Sequence, residues 1–328
     1  MKAVTWSSTD SLVRLNEMAN PVLKPGEVLV ELHYAALNHL DLWTLRNKNH
    51  GIVLGNDGAG VIKAVSPEID KRIIGKEVII NPGWHWGGDE RFAADTFYIV
   101  GTNDRGTLAE YVAVPFESIF EKPLHLSLKE AAALPMAGVT AYRALFTKAK
   151  LKAGETVLIT GAGGGVATSL LHLAVAAEAK VYVTSSSEAK IQKAIAIGAA
   201  GGFNYSSSDW TTHAKQLSGG FDVILDSAAG NGFADLTRIA NEAARIISFG
   251  RTTGMITNLD PGIIFNKQLS IMGTLMGSNL DFESMIGYYT RYAIHPVIDS
   301  TFKLENISDA FERLTEHSQF GKIIVAIR

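Results

Sequence analysis

Two stretches of this 328-residue chain combine residue types and spacing that can do chemistry. In TGAGGGVATSLLHLA, residues 160–174, glycines at 161, 163, 164 and 165 separate a fully apolar run from an apolar helical pattern. A second apolar run, KVYVT, starts where a βαβ unit of about thirty residues places it. In such a turn the backbone approaches a pyrophosphate closely, which excludes side chains, and the free N–H groups of the helix N-terminus bind the anion. The residues expected there are Ala162, Gly163, Gly164, Gly165 and Val166.

The second stretch, SSSEAK at 185–190, follows that second run. The spacing Gly161-x-Gly163-x-Gly165 suits adenosylmethionine as well as a dinucleotide. Both adenosylmethionine and NAD want an acidic residue at the end of the second strand, roughly 20 residues past the glycines, to hold the ribose hydroxyls. Here Thr184, Ser185 and Ser186 stand in that place. Three hydroxyls, a helix N-terminus and Lys190 suit a 2′-phosphate. A serine N-cap followed by a solvated lysine accounts for the same residues.

Composition removes other chemistries. The net charge is −3, and no basic stripe points to nucleic acid. No apolar stretch is long enough to cross a bilayer, and MKAVTWSSTDSLVRLNEM lacks the apolar core of a secretory signal, so a cytoplasmic protein is expected. With no cysteine, disulfides, thiolate metal sites and cysteine nucleophiles are all excluded.

The elements that must position these residues change character along the chain. Residues 1–122 read as short strands with turn punctuation, at 12–17, 27–33, 58–65, 77–81 and 108–114, which predicts a barrel. Beyond Ser127 apolar strands at 156–160, 180–184, 202–205, 221–226, 245–249 and 269–275 alternate with amphipathic helices. That alternation predicts a parallel sheet covered by helices on both faces. A helix after Asp281, the triplet FKL, a helix near Ser308 and a strand at 322–327 close the chain.

In order, KPGEVLVELHYAALNHLDLW, VLGNDGAGVIKAV, GTLAEYVAVP, AAALPMAGVTAYRAL, TGAGGGVATSLLHLA and FGKIIVAIR resemble the medium-chain dehydrogenase/reductase superfamily over nearly the whole length. The resemblance implies an α/β protein: a Rossmann doubly wound parallel sheet, residues 123–281, inserted into a GroES-like β-barrel catalytic domain, residues 1–122 and 282–328. It also implies a homodimer joined through the strand at 269–275.

The departures from that family are specific. Its catalytic zinc is held by residues at the places of Asn38, Asn56 and Met136, and its proton-relay hydroxyl is at Leu40. The lobe that carries a structural zinc is here a cysteine-free segment, GWHWGGDERFAADTFYIVGTNDRG. No metal site is therefore expected. Without a Lewis acid, alcohol oxidation loses its activator, whereas hydride addition to a quinone or enone spreads charge that hydrogen-bond donors can stabilise.

The expected function is thus NADPH-dependent, zinc-independent hydride transfer to a quinone, enone or other activated carbonyl compound. Alternatives are an alcohol or aldehyde dehydrogenase, and a non-catalytic NADPH-binding sensor or structural protein. The segment at 42–55 lacks the tyrosines common in quinone reductases, which leaves the substrate class open. Asn38, Asn56 and Asp57 are expected to line the reaction pocket, and Trp43, Trp84 and Trp86 are candidates for an aromatic wall. The resemblance places Asn38 and Thr140 near the nicotinamide, His39 near the pyrophosphate, and Lys190 and Tyr205, beside Ser185 and Ser186, at the 2′-phosphate. Phe249, Gly250 and Lys322 complete the expected coenzyme contacts.

Overall fold

In the computed structural model, which describes residues 1–7, 12–45, 51–103 and 105–328, the chain forms two units, Met1–Val139 with Gly277–Arg328 and Thr140–Met276. Residues 46–50, part of the substrate-class segment, lie outside the described residues.

The first unit opens with an antiparallel pair, β1 (Lys2–Ser7) and β2 (Leu12–Glu17). There follow β3 (Glu27–Ala36), the short helix α1 (His39–Thr44), β4 (Asp57–Val65), β5 (Glu77–Ile80), the small hairpin β6 (Gly83–Trp84) and β7 (Tyr98–Ile99), β8 (Tyr111–Pro115) and β9 (Ile119–Glu121). Helices α2 (Leu128–Ala131) and α3 (Pro135–Tyr142) come next, and α3 runs into a π-helical stretch, Arg143–Lys148.

Period-two alternation decides the packing of this part. Val28, Val30 and Leu32 on β3, Val78 and Ile80 on β5, and Val112 and Val114 on β8 point into one core around buried Trp84. Trp84 is thus a core residue and not part of a substrate wall; its Nε1 donates to the Asn81 carbonyl. The strand expected at 108–114 begins only at Tyr111, because Ala109 is bridged to Ala3 on β1 instead.

The second unit carries β10 (Thr156–Ile159), α4 (Gly165–Ala176), β11 (Lys180–Ser185), α5 (Glu188–Ala196), β12 (Gly201–Asn204), α6 (Trp210–Ser218), β13 (Phe221–Asp226), α7 (Phe233–Ile239), β14 (Ala240–Ser248), α8 (Pro261–Lys267) and β15 (Ser270–Gly273). Its six strands are all parallel, in the order β12-β11-β10-β13-β14-β15. Val157, Leu158 and Ile159 are wholly buried, as a strand covered on both faces requires. The strand order reverses between β10 and β13, which is where a doubly wound sheet opens a ligand crevice at its carboxyl ends.

The chain then returns to the first unit with α9 (Asn279–Arg291), β16 (Ile298–Lys303), α10 (Ile307–Thr315) and β17 (Lys322–Ala326). The unit's main sheet runs β16-β17-β3-β4-β5-β9, with β8 also on β3. Pairing with β17 uses residues 34–36 of β3, while β8 takes 27–31. Residues 123–139 and 277–281, expected in the nucleotide-binding domain, fall in this unit instead. The Met136 backbone N–H donates to Asp57 of β4 at 2.8 Å, and Ser278 caps α9 through Asp281 N–H at 3.2 Å.

Candidate active site

In the first unit three strand ends meet. Ala36, the last residue of β3, lies opposite Asp57 on one side and Ile324 on the other. Because both neighbours run antiparallel to β3, the start of β4 and the start of β17 sit beside its end. Asn38 follows two residues on, as the N-cap of α1.

The buried Lys322 ammonium has three hydrogens and donates to three acceptors: Leu37 O at 2.8 Å, Asn38 Oδ1 at 2.5 Å and Asp57 Oδ2 at 2.8 Å. Asn38 Nδ2 donates to Asp57 Oδ2 at 2.9 Å, and the Asn38 backbone N–H donates to Asp41 Oδ2 at 2.7 Å. A buried ion pair is tolerated only with this degree of hydrogen bonding.

Two titratable neighbours are displaced from their ordinary ranges. Burial pushes the Asp41 carboxyl up to about 7, the Asn38 backbone N–H and the Lys322 charge working against it and the Asp57 charge with it. His39 is held down at about 4, first by burial, then by His317 and Lys322. Its ring stacks on His317 with centroids 5.3 Å apart and planes within 3°, Nε2 lying 3.3 Å from His317 Nδ1. At neutral pH it therefore offers a pyrophosphate no positive charge.

In the second unit, Gly161 adopts φ +73°, which glycine reaches without strain. A Cβ on Gly164 would meet nothing nearer than Gly161 O at 3.7 Å, so packing does not demand a glycine there and the loop is left open to a ligand. Gly165 and Val166 open the twelve-residue α4, whose first-turn N–H groups have no intrahelical acceptor. The Ala162 N–H is spent on Thr184 O at 2.9 Å. These features fit a dinucleotide pyrophosphate.

At the end of β11, Ser185 is buried with its hydroxyl accepting from Ser187 N–H at 3.1 Å, and Ser186 is exposed. Ser187 caps α5 through Lys190 N–H at 3.4 Å. Tyr205, half-exposed, is tied in by its N–H to Ser185 O at 3.2 Å. Asn204 donates to Ser186 O at 3.4 Å and joins this group because β12 pairs with β11.

Other expected residues take different parts. Asn56 and Asp57, expected to line the reaction pocket, are fully buried, Asn56 Nδ2 donating to Val100 O at 2.5 Å and Asp57 accepting from Lys322 and Asn38. Lys322, expected among the coenzyme contacts, has all three ammonium hydrogens engaged inside the first unit. A Cβ on Gly250 would lie 2.5 Å from Ser227 O, so loop crossing explains that glycine, and Phe249 N–H donates to Asp226 O at 3.0 Å. Thr140 is buried at the start of the second unit. The burial of Lys322 has no local signal: a lysine at the start of a strand reads as solvated until the pairing of β17 with β3 is known.

Comparison with known proteins accords with this geometry. Residues 24–124 match the alcohol dehydrogenase GroES-like domain, and 165–291 the zinc-binding dehydrogenase family. A zinc-type alcohol dehydrogenase-like protein, YogA, of Leptosphaeria maculans is 32% identical, the match covering 96% of this chain and 94% of that one. The chain belongs to the medium-chain dehydrogenase/reductase superfamily. Quinone oxidoreductase-like protein 2 of Rattus norvegicus is 26% identical over 100% of this chain and 92% of its own. A crystal structure of an NAD-dependent alcohol dehydrogenase, 31% identical, superposes with a TM-score of 0.93 over 100% of both chains. The protein is thus an oxidoreductase of this superfamily, with a GroES-like domain and a nucleotide-binding Rossmann domain.

The zinc used by members of the superfamily does not fit these residues. Asn38, Asn56 and Met136 offer two amides and a thioether where zinc takes thiolate and imidazole. The Asn38 oxygen moreover already accepts from an ammonium group. Among the described residues no group of three or more His, Asp or Glu could hold a metal ion. No helix among them is long and apolar enough to cross a membrane.

Proposed function

We propose that the protein reduces a quinone, an enone or another activated carbonyl compound with NADPH and without zinc. The observation that carries this reading is Asn38: the place of a metal ligand is taken by an amide that an ammonium and a carboxylate hold fixed. Held at the β10–α4 turn and the end of β11, NADPH would supply a hydride with its electron pair to the electron-poor carbon and leave as NADP⁺, while water would supply the proton to the acceptor oxygen. Asn38 donates a hydrogen bond to the oxygen that gains charge, a role that rewards a preorganised donor. Asp57 and Lys322 keep that donor in place.

The preference for NADPH is argued from the end of β11, which runs out in Thr184, Ser185 and Ser186 with no carboxylate, and from Lys190 and Tyr205, which stand at the positions the family resemblance gives to a 2′-phosphate site. The names of two relatives specify NAD, so coenzyme choice is the first quantity to measure. The test is an NADPH-oxidation screen against benzoquinone, phenanthrenequinone and methyl vinyl ketone, alongside alcohol oxidation with NADP⁺ and NAD⁺. Turnover of the quinones or the enone supports the reading. Alcohol oxidation alone would replace it with an alcohol dehydrogenase, and tight NADPH binding with no turnover would replace it with a sensor.

A further inference from the structure

Resting on the reading of Asn38 as the donor to the reacting oxygen, we propose that Lys322 is a positioning residue for hydride transfer: it fixes the polarity of the Asn38 amide so that a hydrogen, and not a lone pair, is left for the substrate. Four observations carry this. Asn38 Oδ1 accepts from the Lys322 ammonium at 2.5 Å, and Asn38 Nδ2 donates one of its two hydrogens to Asp57 Oδ2 at 2.9 Å. A flipped amide would set an NH2 against an NH3⁺ and a carbonyl against a carboxylate, reversing both contacts at once. The backbone on either side is fixed as well, by Lys322 to Leu37 O at 2.8 Å and by Asn38 N–H to Asp41 Oδ2 at 2.7 Å. The second Nδ2 hydrogen has no acceptor among the described residues.

Lysine suits this task. A single nitrogen with three diverging hydrogens reaches one carbonyl, one amide and one carboxylate, where a planar guanidinium would need more room than a site only 4% exposed provides. Asp57 completes the device, since its Oδ2 receives both Lys322 and Asn38 while its Oδ1 is anchored by the Met136 N–H at 2.8 Å. In this chain, the place of the first metal ligand has become a directed hydrogen-bond donor.

The test is a double-mutant cycle between Lys322→Met and Asn38→Ala, read as NADPH dissociation constant by fluorescence and as kcat with methyl vinyl ketone and phenanthrenequinone. Lys322→Met alone is expected to lower kcat about tenfold or more, as loss of a preorganised donor does. NADPH affinity should stay within about threefold of wild type, and in the Asn38→Ala background the same change should alter kcat less than about twofold. Asn38→Asp, which keeps the acceptor for Lys322 and removes the N–H, should lose as much kcat as Asn38→Ala. Should Lys322→Met fail to fold, Lys322→Met with Asp57→Asn leaves no buried charge unpaired and is read in the same way. Equal kcat loss in both backgrounds, or no loss at all, overturns the positioning role while leaving the functional reading intact. A wild type that turns over none of the panel overturns both.

Discussion

Lys322 and Asp57 stand 265 residues apart in the sequence and 2.8 Å apart in the fold. The pair is almost wholly buried, at 4% and 0% side-chain exposure. Removing one partner of such a pair strands the other charge, at a cost of about 3–5 kcal/mol. Lys322→Met should therefore lower the free energy of urea unfolding by about that amount. Adding Asp57→Asn should restore a large part of it. A single variant as stable as wild type would show that the pair contributes nothing to the fold.

Coenzyme choice is read at the end of β11. NADPH should bind at least about tenfold more tightly than NADH, a difference of about 1.4 kcal/mol that one charge-assisted contact can supply. Lys190→Glu should remove the preference by weakening NADPH and leaving NADH nearly unchanged. Titration by nicotinamide fluorescence decides: equal affinities in the wild type, or an unaltered ratio in the variant, would refute the assignment.

Asp41 and His39 make opposite contributions to the pH dependence of stability. Burial raises Asp41 from 3.8 to about 7, so its contribution is fully present below the unfolded value and is lost as pH rises through that window. His39 falls from 6.5 to about 4, so its contribution is present above 6.5 and is lost as pH drops toward 4. Where the windows overlap, the two slopes oppose each other at about 1.4 kcal/mol per pH unit each. Between pH 4 and 6.5 Asp41→Asn should steepen the rise of stability with pH, and His39→Gln should tilt it the other way. His317, Asp57 and Lys322 are common to all three proteins, so chemical-denaturation profiles that run parallel would contradict both shifts.

What was legible in the sequence follows the range of the forces involved. The six parallel strands and the glycine turn are local patterns of burial and backbone freedom, and each expected strand is found within a few residues of its place. The exceptions have tertiary causes. The 108–110 segment bridges to β1, and β14 begins at Ala240 because it follows directly on α7. The site was half legible. Asn38 stood out by its place in a motif, but the contacts Lys322 makes with it and with Asp57 depend on β17 joining β3, and the His39–His317 stack joins residues 278 apart.

The outer edge of β15 predicts self-association. Among the described residues it pairs with β14 alone, and Ile271, with Phe265 on α8 and Leu275 just beyond the strand, is exposed. An apolar free edge invites pairing, and a twofold axis lets two copies pair the same strand with itself. Light scattering should give twice the 35.3 kDa chain mass at micromolar concentration. Ile271→Lys should shift the protein toward monomer. A wild type that is monomeric under those conditions would overturn the expectation.

Activity should not depend on zinc. At the three places where a catalytic zinc would be held, Asn38 Oδ1 is engaged by an ammonium, the Asn56 amide donates to Val100 O, and Met136 offers a thioether. A cation entering there would have to displace the Lys322 charge from a buried carboxylate and then be held by neutral oxygens and a soft sulfur. Those donors compete poorly with water for zinc. Dialysis against a strong chelator, with residual metal measured by mass spectrometry, should leave kcat for quinone or enone reduction unchanged. Stoichiometric zinc before dialysis, with activity lost afterwards and restored by zinc, would mean that Lys322 gives way to the metal. The alcohol-dehydrogenase reading would then take the place of the one proposed.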